Sequence, residues 1–248
     1  MMKRFENKVA VVTGGNSGIG YAAARELAAQ GAKVVITGRR KDAVIKAAKE
    51  IGASPFVADQ ASLNDIEVLT KEVKEQFGGV DILFINAGIT GTMALIENAS
   101  VENFDSVMGT NFRGAYFTLS KFIPLLNEGA SVVMLSSIVA STHKPYSSIY
   151  QASKAALNSV AKTAAAELAP RKIRVNIVSP GPHRTEVLNK AGLDEPTLKS
   201  IQERLVNDIP LHKIGEPADL AKLVLFLCDE SSNFITGAEV TVDGGMTL

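Results

Sequence analysis

Short β-branched apolar runs alternate along this chain with amphipathic stretches of helical period, almost to the last residue. Seven runs read as strands: Val9–Thr13, Lys33–Thr37, Pro55–Ala58, Asp81–Asn86, Ser131–Ser136, Arg174–Val178 and Glu239–Val242. Between them the spacing predicts helices over Ser17–Gln30, Lys41–Ile51, Leu63–Phe77, Val101–Leu126, Ser148–Leu168 and Ala218–Asp229. Ser100 stands where an N-cap would start the fourth helix, and Pro170 just past the end of the fifth. Strand, helix, strand is the unit of a parallel sheet, because the return crossing has to travel over one face. The first five strands are apolar almost throughout, as strands covered on both faces are. The prediction is therefore a single-domain α/β fold, a doubly wound, seven-stranded parallel sheet with helices on both faces. From Pro182 to Pro217 the rhythm breaks into a polar insertion with weak helical patches at Glu186–Ala191 and Thr197–Val206. It is longer than a connector needs and is expected to act as a lid.

Composition narrows the function. A chain of 248 residues with 46% hydrophobic content can bury one large core. Its 26 basic residues balance 26 acidic ones without a basic run, which argues against nucleic acid or an anionic membrane as partner. The first eight residues hold no apolar targeting segment and no stretch is long enough to span a bilayer, so a cytoplasmic location is expected. The single cysteine, Cys228, follows the apolar run Leu223–Leu227 and reads as a buried structural thiol.

Three groups of residues carry chemistry. Thr13-Gly14-Gly15-Asn16-Ser17-Gly18-Ile19-Gly20 lies where the first strand gives way to the first helix. Glycines there let backbone N–H groups approach a pyrophosphate, and the helix N-terminus adds partial positive charge. A tight turn that holds nothing is the alternative. The second strand ends in Thr37-Gly38-Arg39-Arg40, where a dinucleotide site that selects NAD carries an acid for the ribose 2′-OH. With no acid present and Arg39 able to pair with a 2′-phosphate, NADP is favoured, NAD remaining possible. A solvated arginine would look the same. Finally, Tyr150 and Lys154 are four residues apart on a helical segment and share one face. They follow Ser136-Ser137 at the end of the fifth strand, and Asn111 lies on the preceding helix. All can meet at the carboxyl edge of the sheet, where open α/β folds bind ligands.

With the glycine loop, Asp59, Asn86-Ala87-Gly88, Asn111, Ser137, Tyr150, Lys154 and Pro180-Gly181 followed by Thr185, the chain resembles the short-chain dehydrogenase/reductase family over its whole length. The resemblance implies a Rossmann-type sheet of order 3-2-1-4-5-6-7 and a homotetramer in which Val101–Leu126 and Ser148–Leu168 pack between subunits. It implies that Gly14 and Ile19 line the pyrophosphate and nicotinamide side, that Asp59 faces the adenine, and that Thr185 holds the carboxamide. Asn111 would hold a water linking Lys154 to solvent. No metal is implied. Three positions depart from the family pattern. Ile85 precedes Asn86 where an asparagine is frequent, a change expected to concern packing. Gln60 follows Asp59 where a valine is frequent, and Arg184 beside His183 is expected to make the mouth more cationic.

The implied reaction is exchange between a carbonyl and an alcohol, with Tyr150 as acid/base and Ser137 hydrogen-bonded to the reacting oxygen. A tyrosine base needs its pKa lowered by about 3 units, or ~4 kcal/mol. A lysine charge ~5 Å away supplies about 3 kcal/mol at an effective dielectric near 20, so Lys154 is expected to hold Tyr150 low. The substrate is a small molecule that would meet Thr90–Ala94, Ile138–Tyr146 and the insertion. Met93, Ile138, Val139, Val187 and Leu188 suit an aliphatic or cyclic ketone, whereas His143, Lys144, His183 and Arg184 suit an acyl-carrier thioester or an acid. A nucleotide sensor without turnover is the reading from another class, opposed by the intact Ser137, Tyr150 and Lys154.

Overall fold

Alternate residues of the central strands pack on opposite faces, and two separate cores result. The computed structural model describes residues 3–184 and 194–248. Its strands are β1 (Val9–Val12), β2 (Lys33–Gly38), β3 (Ser54–Val57), β4 (Val80–Ile85), β5 (Leu126–Leu135), β6 (Arg174–Pro180) and β7 (Glu239–Val242). All pair in parallel in the order β3-β2-β1-β4-β5-β6-β7, the order that the resemblance implied. On one face Val11, Val35, Leu83, Met134 and Ile177 pack beneath α3 (Leu63–Phe77), α5 (Ala115–Phe122) and α7 (Ser148–Leu168). On the other, Val12, Ile36, Phe84 and Val133 pack beneath α1 (Gly18–Ala29), α2 (Lys41–Ile51) and α9 (Pro217–Cys228). Fully buried Phe84 anchors the second core, where truncation to alanine costs about 3–5 kcal/mol. Ile85 is buried in the first core, consistent with its expected packing role.

The strand over Ser54–Val57 differs from expectation. Its residues alternate between part-buried and exposed because it lies at the edge of the sheet, where cover is incomplete. β5 begins at Leu126, five residues before the apolar run, and its register against β4 shifts between the Val80–Leu126 and Ile82–Ser131 pairs. The expected helix Val101–Leu126 is three pieces: α4 (Val101–Met108), a π-helical turn over Gly109–Gly114, and α5. Pro124, lacking an N–H, sits in the short 3₁₀ segment that ends it. Ser100 caps α4 by accepting the Asn103 N–H, and a 3₁₀ turn containing Pro170 closes α7. A four-residue helix, α6 (Val139–Thr142), was not foreseen. Of the insertion, α8 (Glu195–Asp208) contains and extends the Thr197–Val206 patch, while Glu186–Ala191 lies outside the described residues. No described helix is long and apolar enough to cross a membrane.

Candidate active site

β4, β5 and the first turns of α7 end around one spot at the carboxyl edge of the sheet. Helical spacing brings Tyr150 and Lys154 to one face of α7, and the face is turned toward Ser136-Ser137 at the end of β5. Lys154 is only 3% exposed, and its ammonium donates to the Leu135 carbonyl at 2.7 Å. That nitrogen stands 5.9 Å from the centroid of the Tyr150 ring. The Ser137 hydroxyl lies beside the Tyr150 phenol, whose pKa it lowers, and accepts the Val139 N–H at 3.3 Å. Gly88, just beyond β4, forms the floor: a Cβ there would lie 3.2 Å from Asn111 Oδ1 and 3.4 Å from Lys154 Nζ. All four expected catalytic residues are thus assembled.

Asn111 sits inside the π-helical turn and explains it. Its amide donates to Ile89 O at 2.8 Å and to Ser153 Oγ at 3.1 Å, and its Oδ1 accepts the Ile89 N–H at 2.8 Å. The extra residue of the wide turn aims this side chain at the β4 exit, as π-bulges at functional sites often do. Both amide protons are engaged within the protein.

Burial sets the electrostatics. Desolvation raises the Tyr150 pKa above its ordinary 10.0, against the smaller lowering effect of the Ser137 hydrogen bond. Desolvation alone brings Lys154 down to about 8. The expectation that Lys154 holds Tyr150 low therefore fails for the free protein. The ammonium is spent on Leu135, and both charged forms are penalised by the same dry surroundings.

Toward β1 lies the glycine loop. Thr13 Oγ1 accepts the N–H groups of Asn86 at 3.0 Å and Ala87 at 3.1 Å, and Asn86 Nδ2 returns bonds to Thr13 O at 2.8 Å and Gly14 O at 3.2 Å. Gly14 has φ +64° and Gly18 φ +57°, conformations that favour glycine. A Cβ on Gly20 would come within 2.4 Å of Asn86 Nδ2. The Ser17 side chain does not cap α1, and no acidic residue stands in its first turn. The positive end of α1 is thus left free, and the cradle fits a dinucleotide pyrophosphate. Asn16 Oδ1 packs against Gly38, where a Cβ would meet it at 2.4 Å. Arg39 lies 4.0 Å from Asp59, both exposed, so the two expected adenosine-end residues face each other. Pro180 O accepts the Ile138 N–H at 3.1 Å and Gly181 N–H donates to Val242 O at 2.9 Å, which sets the far wall. Thr185, Val187 and Leu188 lie outside the described residues.

The cationic mouth expected from His183 and Arg184 is not found. Arg184 pairs with Glu216 at 2.9 Å, and the His183 ring bonds Gly181 O at 3.0 Å while packing on Gly215. A larger open cleft of about 860 Å³ lies at the opposite, N-terminal edge of the sheet, lined in part by Arg4, Asp81, Arg174 and Cys228. It is remote from Tyr150. Cys228 is only part-buried as a residue, yet desolvation pushes its thiol up to about 12, which removes it as a nucleophile.

Residues 14–247 match the family model described as Enoyl-(Acyl carrier protein) reductase. The human dehydrogenase/reductase SDR family member 4 is 36% identical over 246 residues, which are 96% of this chain and 87% of that protein. The chain belongs to the short-chain dehydrogenase/reductase family. The 3-oxoacyl-(acyl-carrier-protein) reductase FabG of Staphylococcus epidermidis is 35% identical over 250 residues, 98% of this chain and all of that one. A solved Brucella melitensis structure, named as a short-chain dehydrogenase/reductase of the glucose/ribitol dehydrogenase type, superposes with a TM-score of 0.92 at 31% identity, covering 100% of both chains. As a short-chain dehydrogenase/reductase the protein is an NAD(P)-dependent oxidoreductase.

Several residues of this dehydrogenase/reductase site escaped sequence reasoning. Ser153, fully buried, accepts from Asn111 and donates to Tyr150 O at 2.7 Å. Its only signal was its place between Tyr150 and Lys154. Gln60 turns inward and bridges Ala87 O and Thr110 O, each at 3.0 Å. Tyr146 carries φ +70°, which costs a bulky residue roughly 1–2 kcal/mol. Nothing local in the sequence announces either arrangement.

Proposed function

We propose that this protein interconverts a ketone and a secondary alcohol with NADP(H), Tyr150 passing the proton. The observation that carries the reading is the placement of Ser137 and of the buried Lys154 ammonium beside the Tyr150 phenol. When bound, the nicotinamide supplies or takes up the hydride. In reduction, the raised pKa keeps Tyr150 protonated and ready to donate to the developing alkoxide, while Ser137 hydrogen-bonds the same oxygen. In oxidation the phenolate is needed, and the Lys154 charge stabilises it inside the dry site. With the Asn111 side chain occupied, its main-chain carbonyl in the π-helical turn is the group proposed to hold the proton-relay water.

Gly14, Asn16, Ser17, Gly18, Ile19 and Gly20 would cradle the pyrophosphate, with Asn86, Ala87 and Gly88 beneath and Pro180, Gly181 and Thr185 beside the nicotinamide. The preference for NADP rests on Arg39, drawn from Asp59 to a 2′-phosphate. A homotetramer is supported by Val101, Phe104 and Tyr116, exposed large side chains along α4 and α5.

Tyr150→Phe tests the reading. Ketone reduction should fall by about 10²–10⁴-fold while NADPH still binds. A variant that keeps a tenth or more of the turnover would reject Tyr150 as the proton donor.

A further inference from the structure

We infer that Tyr146 determines specificity, forming with Met93 an apolar wall that selects compact, uncharged ketones or secondary alcohols. The inference deepens the reading of Tyr150 as proton donor and rests on it. Tyr146 and Tyr150 line the same shallow cleft with Thr92, Met93 and Ile149. Tyr146 is 54% exposed and Met93 68% exposed, two large apolar side chains left uncovered beside the catalytic phenol. Apolar surface placed there gains most when a carbon skeleton covers it.

The wall is held in an unfavourable backbone conformation by design of its surroundings. Tyr146 has φ +70°, a region that a bulky residue keeps only when neighbours over-determine it. Here its carbonyl accepts the Ala94 N–H at 2.8 Å. The buried Gln151 amide bonds both Lys144 O and Ser147 Oγ, fastening the same loop to α7. Across the cleft, Asn103 clamps Thr92 through two bonds of 2.8 and 3.0 Å. Both walls are thus preorganised before substrate arrives.

No described residue lining this cleft is charged. A carboxylate or phosphate beside the reacting carbonyl would lose water there without gaining a counter-ion, whereas a neutral skeleton would not. The same feature disfavours the acidic substrates that Lys144 and His143 had suggested.

Wild type, Tyr146→Phe, Tyr146→Gly and Tyr150→Phe are compared with cyclohexanone and its ring-carboxylate analogue, each with NADPH. Wild type should favour cyclohexanone by about tenfold or more in kcat/KM. Tyr146→Phe, which keeps the apolar ring, should keep the preference for cyclohexanone, and Tyr146→Gly should raise KM about fivefold or more while kcat moves far less. Because glycine accepts the left-handed conformation, Tyr146→Gly should also melt no earlier than wild type. Equal use of the charged analogue, no cyclohexanone binding by saturation-transfer NMR, an unchanged KM in Tyr146→Gly, or a clear loss of its melting temperature would each overturn the inference. If Tyr150→Phe remains active, the proton-donor reading fails instead; if it is inactive and Tyr146→Gly is unaffected, only the specificity assignment fails.

Discussion

Lys154 points its ammonium at the carbonyl oxygen of Leu135, 2.7 Å away, and the same nitrogen lies 5.9 Å from the centroid of the Tyr150 ring. A single buried cation thereby joins the end of β5 to the proposed acid/base group. Its burial, which brings its pKa down to about 8, makes both activity and stability depend on pH.

In the proposed mechanism the charged form of Lys154 is the competent one. kcat/KM for reduction, which reports the free protein, should fall as pH rises through about 8, approaching tenfold per pH unit beyond it. A pH profile with NADPH and a neutral ketone checks this. A plateau from about pH 7 to 9.5 would show that the lysine charge is dispensable.

Stability has the opposite slope. The folded pKa of Lys154, about 8, lies below its ordinary 10.5, so the unfolded chain holds this proton more tightly. Below about 8 both states carry the proton and the burial penalty is complete; between about 8 and 10.5 the folded state has shed it, and stability rises with pH. The penalty is about 3 kcal/mol, partly offset by the bond to Leu135. Lys154→Met should therefore melt higher than wild type at pH 7 and lose that advantage near pH 10, as read by thermal unfolding at both pH values, while being inactive.

Arg39 and Asp59 compete at the adenosine end. Arg39→Ala should weaken NADPH binding about tenfold or more and NADH binding less than about twofold. Asp59→Asn, which removes the carboxylate 4.0 Å from Arg39, should tighten NADPH modestly. Titration of nicotinamide fluorescence separates the cases; equal affinities for both cofactors in wild type would remove the role given to Arg39.

Thr13 supports the glycine loop through one oxygen. Thr13→Val keeps the shape but leaves the N–H groups of Asn86 and Ala87 without their acceptor in a buried place. The cost should be about 2–4 kcal/mol, a fall of roughly 5–15 °C in melting temperature, together with weaker cofactor binding. Calorimetry with and without NADPH measures both effects.

What the sequence determined by itself is whatever repeats over a few residues. Strands buried on both faces leave continuous apolar runs, helices leave a 3.6-residue period, and the four-residue spacing of Tyr150 and Lys154 puts them on one face wherever α7 lies. The seven strands, the flanking helices and the shared face of Tyr150 and Lys154 were legible for that reason, while Asn111 and Ser137 were proposed for the site from their place in the motif order. The break in Val101–Leu126 was not, since the apolar period runs on through Gly109–Gly114. It is decided by Asn111 meeting Ile89 and Ser153, which lie 22 and 42 residues away along the chain. The inward turn of Gln60, the left-handed backbone of Tyr146 and the pairing of Arg184 with Glu216 likewise depend on partners brought from elsewhere. So does the sign of the Tyr150 shift: only the packed structure supplies the desolvation that outweighs the lowering effect of Ser137, because water is excluded by the whole fold and not by any one segment.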